Sequence, residues 1–293
     1  MKNKNLIFVT GLPRTATTAV GQIISFAEDF STIHEPFNID SGMKEINHRF
    51  LVPGKSIPLN LFDSYITNIA RLNFSLKNGI FEDDNLVKKI AKFFIGGRTF
   101  NSFLMAKFLN RNNIVVKDPF LCFCTQELIK KHKVIVTKRP LKNIAASYKR
   151  MKWSYMLEDF DRLTKALSFN ADLVNYKINK YTDISNEVIA AIKIFCLFEP
   201  YYNGLKNNSN IFYLEQSELS QNPINTSKKL FDFLNLDFSH SVKNNIEKLQ
   251  NSKSKKALPA KNIAHDMSYN KKYSNMYYNK YLDKEEIKLI NEF

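Results

Sequence analysis

Five short β-rich runs constrain this chain more than any other feature: residues 5–10 (NLIFVT), 31–35 (STIHE), 113–117 (NIVVK), 133–138 (KVIVTK) and 210–214 (NIFYL). Each is mostly apolar and none alternates cleanly, the pattern of strands buried on both faces of a parallel sheet. Helical periodicity follows them. Val20, Ile23, Ile24 and Ala27 fall at i, i+3, i+4 and i+7 after the first run, and Ile144, Tyr148 and Met151 repeat that stripe after the fourth. Strands alternating with helices predict an α/β fold, a doubly wound parallel sheet of about five strands flanked by helices.

Two longer helical regions, about 39–112 and 154–205, interrupt the alternation. No linker rich in Pro, Gly or Ser and no internal repeat separates them from the rest, so residues 1–293 are expected to form a single domain with helical insertions. Residues 251–281 are rich in Lys, Asn and Tyr with weak periodicity, which reads as either a lid or a poorly ordered segment. The chain closes on LDKEEIKLINEF, an amphipathic helix.

The question the first strand raises is what its following loop holds. In FVTGLPRTATTAV (residues 8–20) an apolar run breaks at Gly11, and a polar stretch with one cation leads into a helix. Ligands of α/β sheets gather at the carboxyl ends of strands. Gly11 permits a tight turn. The first amides of the next helix point outward unpaired, with the helix dipole behind them. Arg14 adds a fork that matches phosphate or sulfate oxygens, and Thr15, Thr17 and Thr18 add hydroxyls. The loop is thus P-loop-like, but the triphosphate pattern G-x-x-x-x-G-K-[ST] fails twice: Ala16 holds the second glycine place and Thr17 the lysine place.

The formal charge of +15, from 43 Lys plus Arg against 28 Asp plus Glu, suits an anionic partner such as a nucleotide, nucleic acid, acidic sugar or membrane surface. A solvated lysine-rich surface gives the same excess, so charge alone does not choose among these. Despite 13 Tyr and 24 Phe, no nucleic-acid-binding motif appears, and none is expected to operate. The longest apolar stretch, VIAAIKIFCLF (188–198), carries Lys193 and is too short to span a bilayer. Cys122, Cys124 and Cys196 lack the paired spacing of a zinc site, and no metal is expected. Free thiols and an amino terminus unlike a signal peptide lead to the expectation of a cytoplasmic protein.

GLPRTATT resembles the 5′-phosphosulfate loop of the sulfotransferases, P-[RK]-S-G-T-T, with Pro13, Arg14, Thr17 and Thr18 matching, Thr15 in place of Ser and Ala16 in place of Gly. VIVTKRPLKNIAASYKRMKW (134–153) resembles the same family's 3′-phosphate element, a strand ending in Arg with a Ser eight residues on, here Arg139 and Ser147. Lys138 is the competing cation. VVKDPF (115–120) is similar to a Lys-Asp-Pro turn of the tyrosylprotein and bacterial members. FYLEQSELSQNPINTSKKLFDFLNL (212–236) is a degenerate version of another family segment. The resemblance runs in order along the chain but leaves the two long helical regions unmatched.

The resemblance implies a cofactor-like co-substrate, 3′-phosphoadenosine 5′-phosphosulfate, bound without metal by Pro13, Arg14, Thr15, Ala16, Thr17, Thr18, Arg139 and Ser147. Tyr213 is a further candidate contact. It implies transfer of a sulfuryl group to a hydroxyl on a small molecule or saccharide. Such in-line transfer needs a base for the acceptor and cations for the leaving group. Glu35 is the implied base and His34 its competitor. Strand alternation would let only one of the two face the site. Lys117, at the end of the third run, is a candidate to bridge the leaving oxygen beside Arg14. Trp153 either stacks near adenine or packs in the core. The lysines at 253, 255, 256 and 261 either cover an anion or form a solvated run. A P-loop nucleotide kinase-like enzyme is the alternative reading.

Overall fold

The computed structural model describes residues 4–79, 86, 97–250 and 278–293. Its centre is a five-stranded sheet, all parallel, made of β1 (Asn5–Gly11), β2 (Phe30–His34), β3 (Asn113–Lys117), β4 (Lys133–Lys138) and β5 (Ile211–Glu215) in the order β2-β3-β1-β4-β5. The fold is α/β, as the five apolar runs predict.

Alternate residues of the strands divide between two apolar layers. Leu6 and Phe8, with Ile33, Val116, Val134 and Val136, pack into the larger layer, while Ile7 and Val9, with Val115, Ile135 and Leu214, pack into the other. Burial on both faces is why these runs show no polar alternation.

Helix α1 (Thr17–Ile24) covers the second layer with Val20, Ile23 and Ile24, as its stripe predicts. Helices α2 (Leu59–Ala70) and α3 (Arg98–Leu109) precede β3. A 3-10 helix (Pro119–Cys124) and the short α4 (Thr125–Leu128) carry the chain from β3 past β1 to β4. After β4 comes α5 (Leu141–Met151), which buries Ile144 and Tyr148 in the larger layer. Helices α6 (Leu157–Leu167), α7 (Asp172–Asn179) and α8 (Asn186–Asn203) lead on to β5.

The order of the strands positions the site. From β1 the chain leaves over one face through α1 toward β2, and from β3 it crosses β1 over the other face, through the 3-10 helix, to β4. Chains departing to opposite faces leave a crevice above the carboxyl end of β1, the place where open α/β sheets bind ligands. No helix among the described residues is long and apolar enough to cross a membrane. Residues 251–277, with the four lysines noted above, lie outside the described residues.

Candidate active site

The loop after β1 folds back on itself. The backbone of Gly11 has φ +140, and a Cβ there would meet the Thr137 carbonyl oxygen at 2.4 Å and the Thr15 hydroxyl at 2.9 Å, so only glycine fits. Thr15 then locks the turn. Its Oγ1 donates to the Leu12 carbonyl at 2.6 Å and shares a hydrogen bond of 2.7 Å with Thr137 Oγ1 on the neighbouring strand. Arg14 and Ala16, either side of Thr15, both take left-handed backbone, at φ 77 and 78. Ala16 is the N-cap of α1, at the end where a helix leaves its first N–H groups without i−4 partners.

The two motifs that lie far apart in sequence meet at this loop. Arg14 Nε donates to Ser147 Oγ at 2.9 Å, across 133 residues, and Arg139 Nη1 donates to the Arg14 carbonyl at 3.0 Å. Ser147 is fully buried two turns into α5, on the face that looks back at the strand end. Lys138 turns the other way and pairs with Glu199 of α8 at 3.0 Å. Trp153 is half-buried under the Arg14 guanidinium, 5.7 Å from ring centroid to cation, and packs on Tyr148 and Tyr155. Pro13 and Thr17 are buried in the loop, and Thr18 is half-buried at its rim. Tyr213 is not part of this gathering. It donates to the Tyr202 carbonyl at 3.2 Å and packs against the apolar layer.

On the other side of β1, β3 and β2 deliver the second half of the site. Their register sets His34 beside Lys117. The Glu35 amide continues the ladder by donating to the Lys117 carbonyl at 2.7 Å, and then the backbone turns at φ 50. Strand β2 therefore ends at His34, one residue before the expected end, and the alternation argument fails. Both side chains lie on one side, with His34 Nε2 3.9 Å from Glu35 Oε1. Lys117 Nζ reaches Glu35 Oε1 at 2.5 Å, and Asn38 Nδ2 donates to Glu35 Oε2 at 2.9 Å. Burial pushes the Glu35 carboxyl upward, but Lys117, His34 and these hydrogen bonds outweigh it and hold the group down at about 2. Asp118 shapes the turn by accepting from the amides of Phe37 at 2.6 Å and Phe120 at 2.9 Å. Complete burial, with Glu35 nearby, pushes its carboxyl up to about 8.

Sequence reasoning missed four supporting residues. Thr137 clamps Thr15, Asn38 orients Glu35, Ser102 accepts from the His34 amide at 2.9 Å, and Arg98 stands near Glu35. Thr137 was within reach of a sequence argument, since it lies two residues before Arg139. The other three sit in segments with no motif.

No protein-family model matches the chain, and no curated protein matches it. Its likenesses are among solved structures. The chain resembles sulfotransferases. One is sulfotransferase STF1 from Mycobacterium tuberculosis H37Rv, at 15% identity and a TM-score of 0.42, with 84% of this chain and 71% of that one covered. Another is the sulfotransferase domain from the curacin biosynthetic pathway, at 12% identity and a TM-score of 0.46, covering 100% and 98%. A third is mouse sulfotransferase SULT7A1 complexed with PAP, at 12% identity and a TM-score of 0.43, covering 100% and 83%.

Proposed function

We propose that this chain is a sulfotransferase that moves a sulfuryl group from 3′-phosphoadenosine 5′-phosphosulfate to a hydroxyl of a saccharide or small molecule. The observation that carries the reading is the convergence of Arg14, Ser147 and Arg139 on one loop, facing a Lys117–Glu35 pair across the end of β1. An anion binder alone needs the first half. A carboxylate held beside it, on the acceptor side of the crevice, is the part that does chemistry.

In this reading the loop amides, Arg14 and the threonine hydroxyls hold the 5′-phosphosulfate, while Arg139 and Ser147 read the 3′-phosphate. The charges of the second half explain how a carboxylate near 2 can act as a base. Its low value is the net of an upward push from burial and a larger downward pull led by Lys117. When Lys117 gives its ammonium to the leaving phosphate oxygen, the pull weakens, the push from burial remains, and Glu35 becomes basic enough to take the acceptor proton. The same ammonium offsets the charge that grows on the leaving group. His34 is the second candidate for the base. It lies within 3.9 Å of Glu35 and supports the pair electrostatically in either role.

Titration calorimetry with adenosine 3′,5′-bisphosphate tests the reading. The bisphosphate should bind far more tightly than ATP, with or without EDTA. Arg139→Ala should weaken it by roughly 10- to 100-fold, the loss of a charged hydrogen-bond partner. Adenosine 5′-phosphosulfate, which lacks the 3′-phosphate, should lose less. A chain that prefers ATP, and does so only with magnesium, is a kinase-like enzyme instead.

A further inference from the structure

Beside the candidate base, on the face covered by α1, a pocket of about 270 Å³ opens between α1, β2 and α3. Three of its residues are cationic or can become so: Arg98, His34 and Lys117. The rest of its polar wall is amide and hydroxyl, with Gln22, Thr32 and Ser102 among them, and no carboxylate belongs to the lining.

The charges do not cancel. Lys117 is matched by Glu35 at 2.5 Å, so the pair is close to neutral. Arg98 has no hydrogen-bond or ion-pair partner among the described residues. It begins α3 with its side chain exposed to solvent at the pocket's mouth, and Glu35 is the nearby acid that favours its charge. Thr32 Oγ1 is buried in the same wall with no hydrogen-bond partner among the described residues. Among the described residues, an exposed guanidinium with no hydrogen-bonded carboxylate and a buried hydroxyl without a partner line one small pocket, an arrangement that suits an incoming anionic group. The volume falls just under the ~300–1,000 Å³ of ordinary small-molecule sites, so it takes one ring or substituent and not an oligomer.

We propose that this pocket receives an oxyanion carried by the acceptor close to the hydroxyl that is sulfated, with Arg98 as its fork and Ser102 and Thr32 as neighbouring hydroxyls. This rests on the transfer reading above and narrows it. The acceptor is an acidic polyhydroxylated molecule, its anion a carboxylate or an existing sulfate or phosphate ester. Arg98 is a specificity residue and takes no part in the proton transfer. A bidentate guanidinium suits all three anions, so the probes must separate them.

The experiment is calorimetric titration of the full chain with methyl glucuronide, glucose 6-sulfate, glucose 6-phosphate and neutral methyl glucoside, each with and without saturating adenosine bisphosphate. At least one acidic sugar should bind more tightly than the neutral one when the bisphosphate already fills the nucleotide site. Arg98→Ala should weaken that sugar by roughly 10- to 100-fold, Arg98→Lys by less, and neither should change the neutral sugar or the bisphosphate. Equal binding of acidic and neutral sugars to the wild type overturns the proposal. So does acidic binding that survives Arg98→Ala but is lost in Arg139→Ala, because the anion then sits in the nucleotide site. Failure of the bisphosphate itself to bind counts against the transfer reading, while Arg98-dependent sugar binding would still report on the pocket. Melting curves of each variant confirm that it is folded.

Discussion

In the proposed mechanism Glu35 is held in an unreactive state by Lys117, the group that would later release it. Its partner Lys117 is only 3% exposed, and Glu35 16%, so each is the other's main solvent substitute. Glu35→Gln removes the proton acceptor and strands a buried ammonium. Two outcomes are expected. Transfer to an alcohol should fall by roughly 10² to 10⁴-fold, the usual worth of a general base, while bisphosphate affinity hardly moves. The fold should also lose about 3 kcal/mol near neutral pH, as when one member of a buried pair is removed. The sign with pH follows from a carboxyl lowered from 4.5 to about 2 in the folded state. Its stabilisation is present above 4.5 and is lost as the pH falls toward 2, so the melting curves of wild type and variant should draw together across that window. A gap that stays constant through the window would show that the pair is not what separates them.

Helix α1 does more than cover the sheet. Gly21 lies in its second turn, and a Cβ there would meet Lys117 Cβ at 3.2 Å and Cγ at 3.3 Å. The glycine is therefore what lets the lysine stem run along the helix to Glu35. Gly21→Ala should gain helix propensity, up to ~1 kcal/mol, yet push Lys117 aside. The expected result is a melting temperature close to wild type with a transfer rate clearly reduced. A variant with wild-type rate would mean that the stem has room to spare. Sequence reasoning saw this helix through its apolar stripe, and it saw all five strands, because burial on both faces leaves runs that no loop would carry. It singled out Arg14, Arg139 and Ser147 from strand ends and helix faces that obey simple periods, and the structure brings these three together. It misplaced the end of β2, since the left-handed turn at Glu35 occurs at a residue type that gives no hint of it. It offered Tyr213 as a candidate contact, and in the fold that hydroxyl donates to the Tyr202 carbonyl. Arg98, Asn38 and Ser102 carry no pattern at all. Their proximity is a product of packing.

The whole molecule carries +15. Its effect on an anionic ligand is long-range and therefore screened, since the Debye length falls from ~10 Å at 0.1 M salt to ~3 Å at 1 M. Association of the bisphosphate, followed by stopped flow, should slow steeply with added salt, while its dissociation changes little. Parallel salt dependence of both rates would place the attraction in the contacts and not in the overall field. Assembly has its own consequence. The Thr15–Thr137 and Arg14–Ser147 bonds join residues 122 and 133 positions apart. The loop has its sequence from the first moments of synthesis but not its partners, which arrive only when β4 docks beside β1. Contacts of such separation form late and slowly. On the proposed function, a nascent or partly unfolded chain lacks these clamps for a nucleotide, so the ligand should favour completed molecules and draw the folding equilibrium toward them.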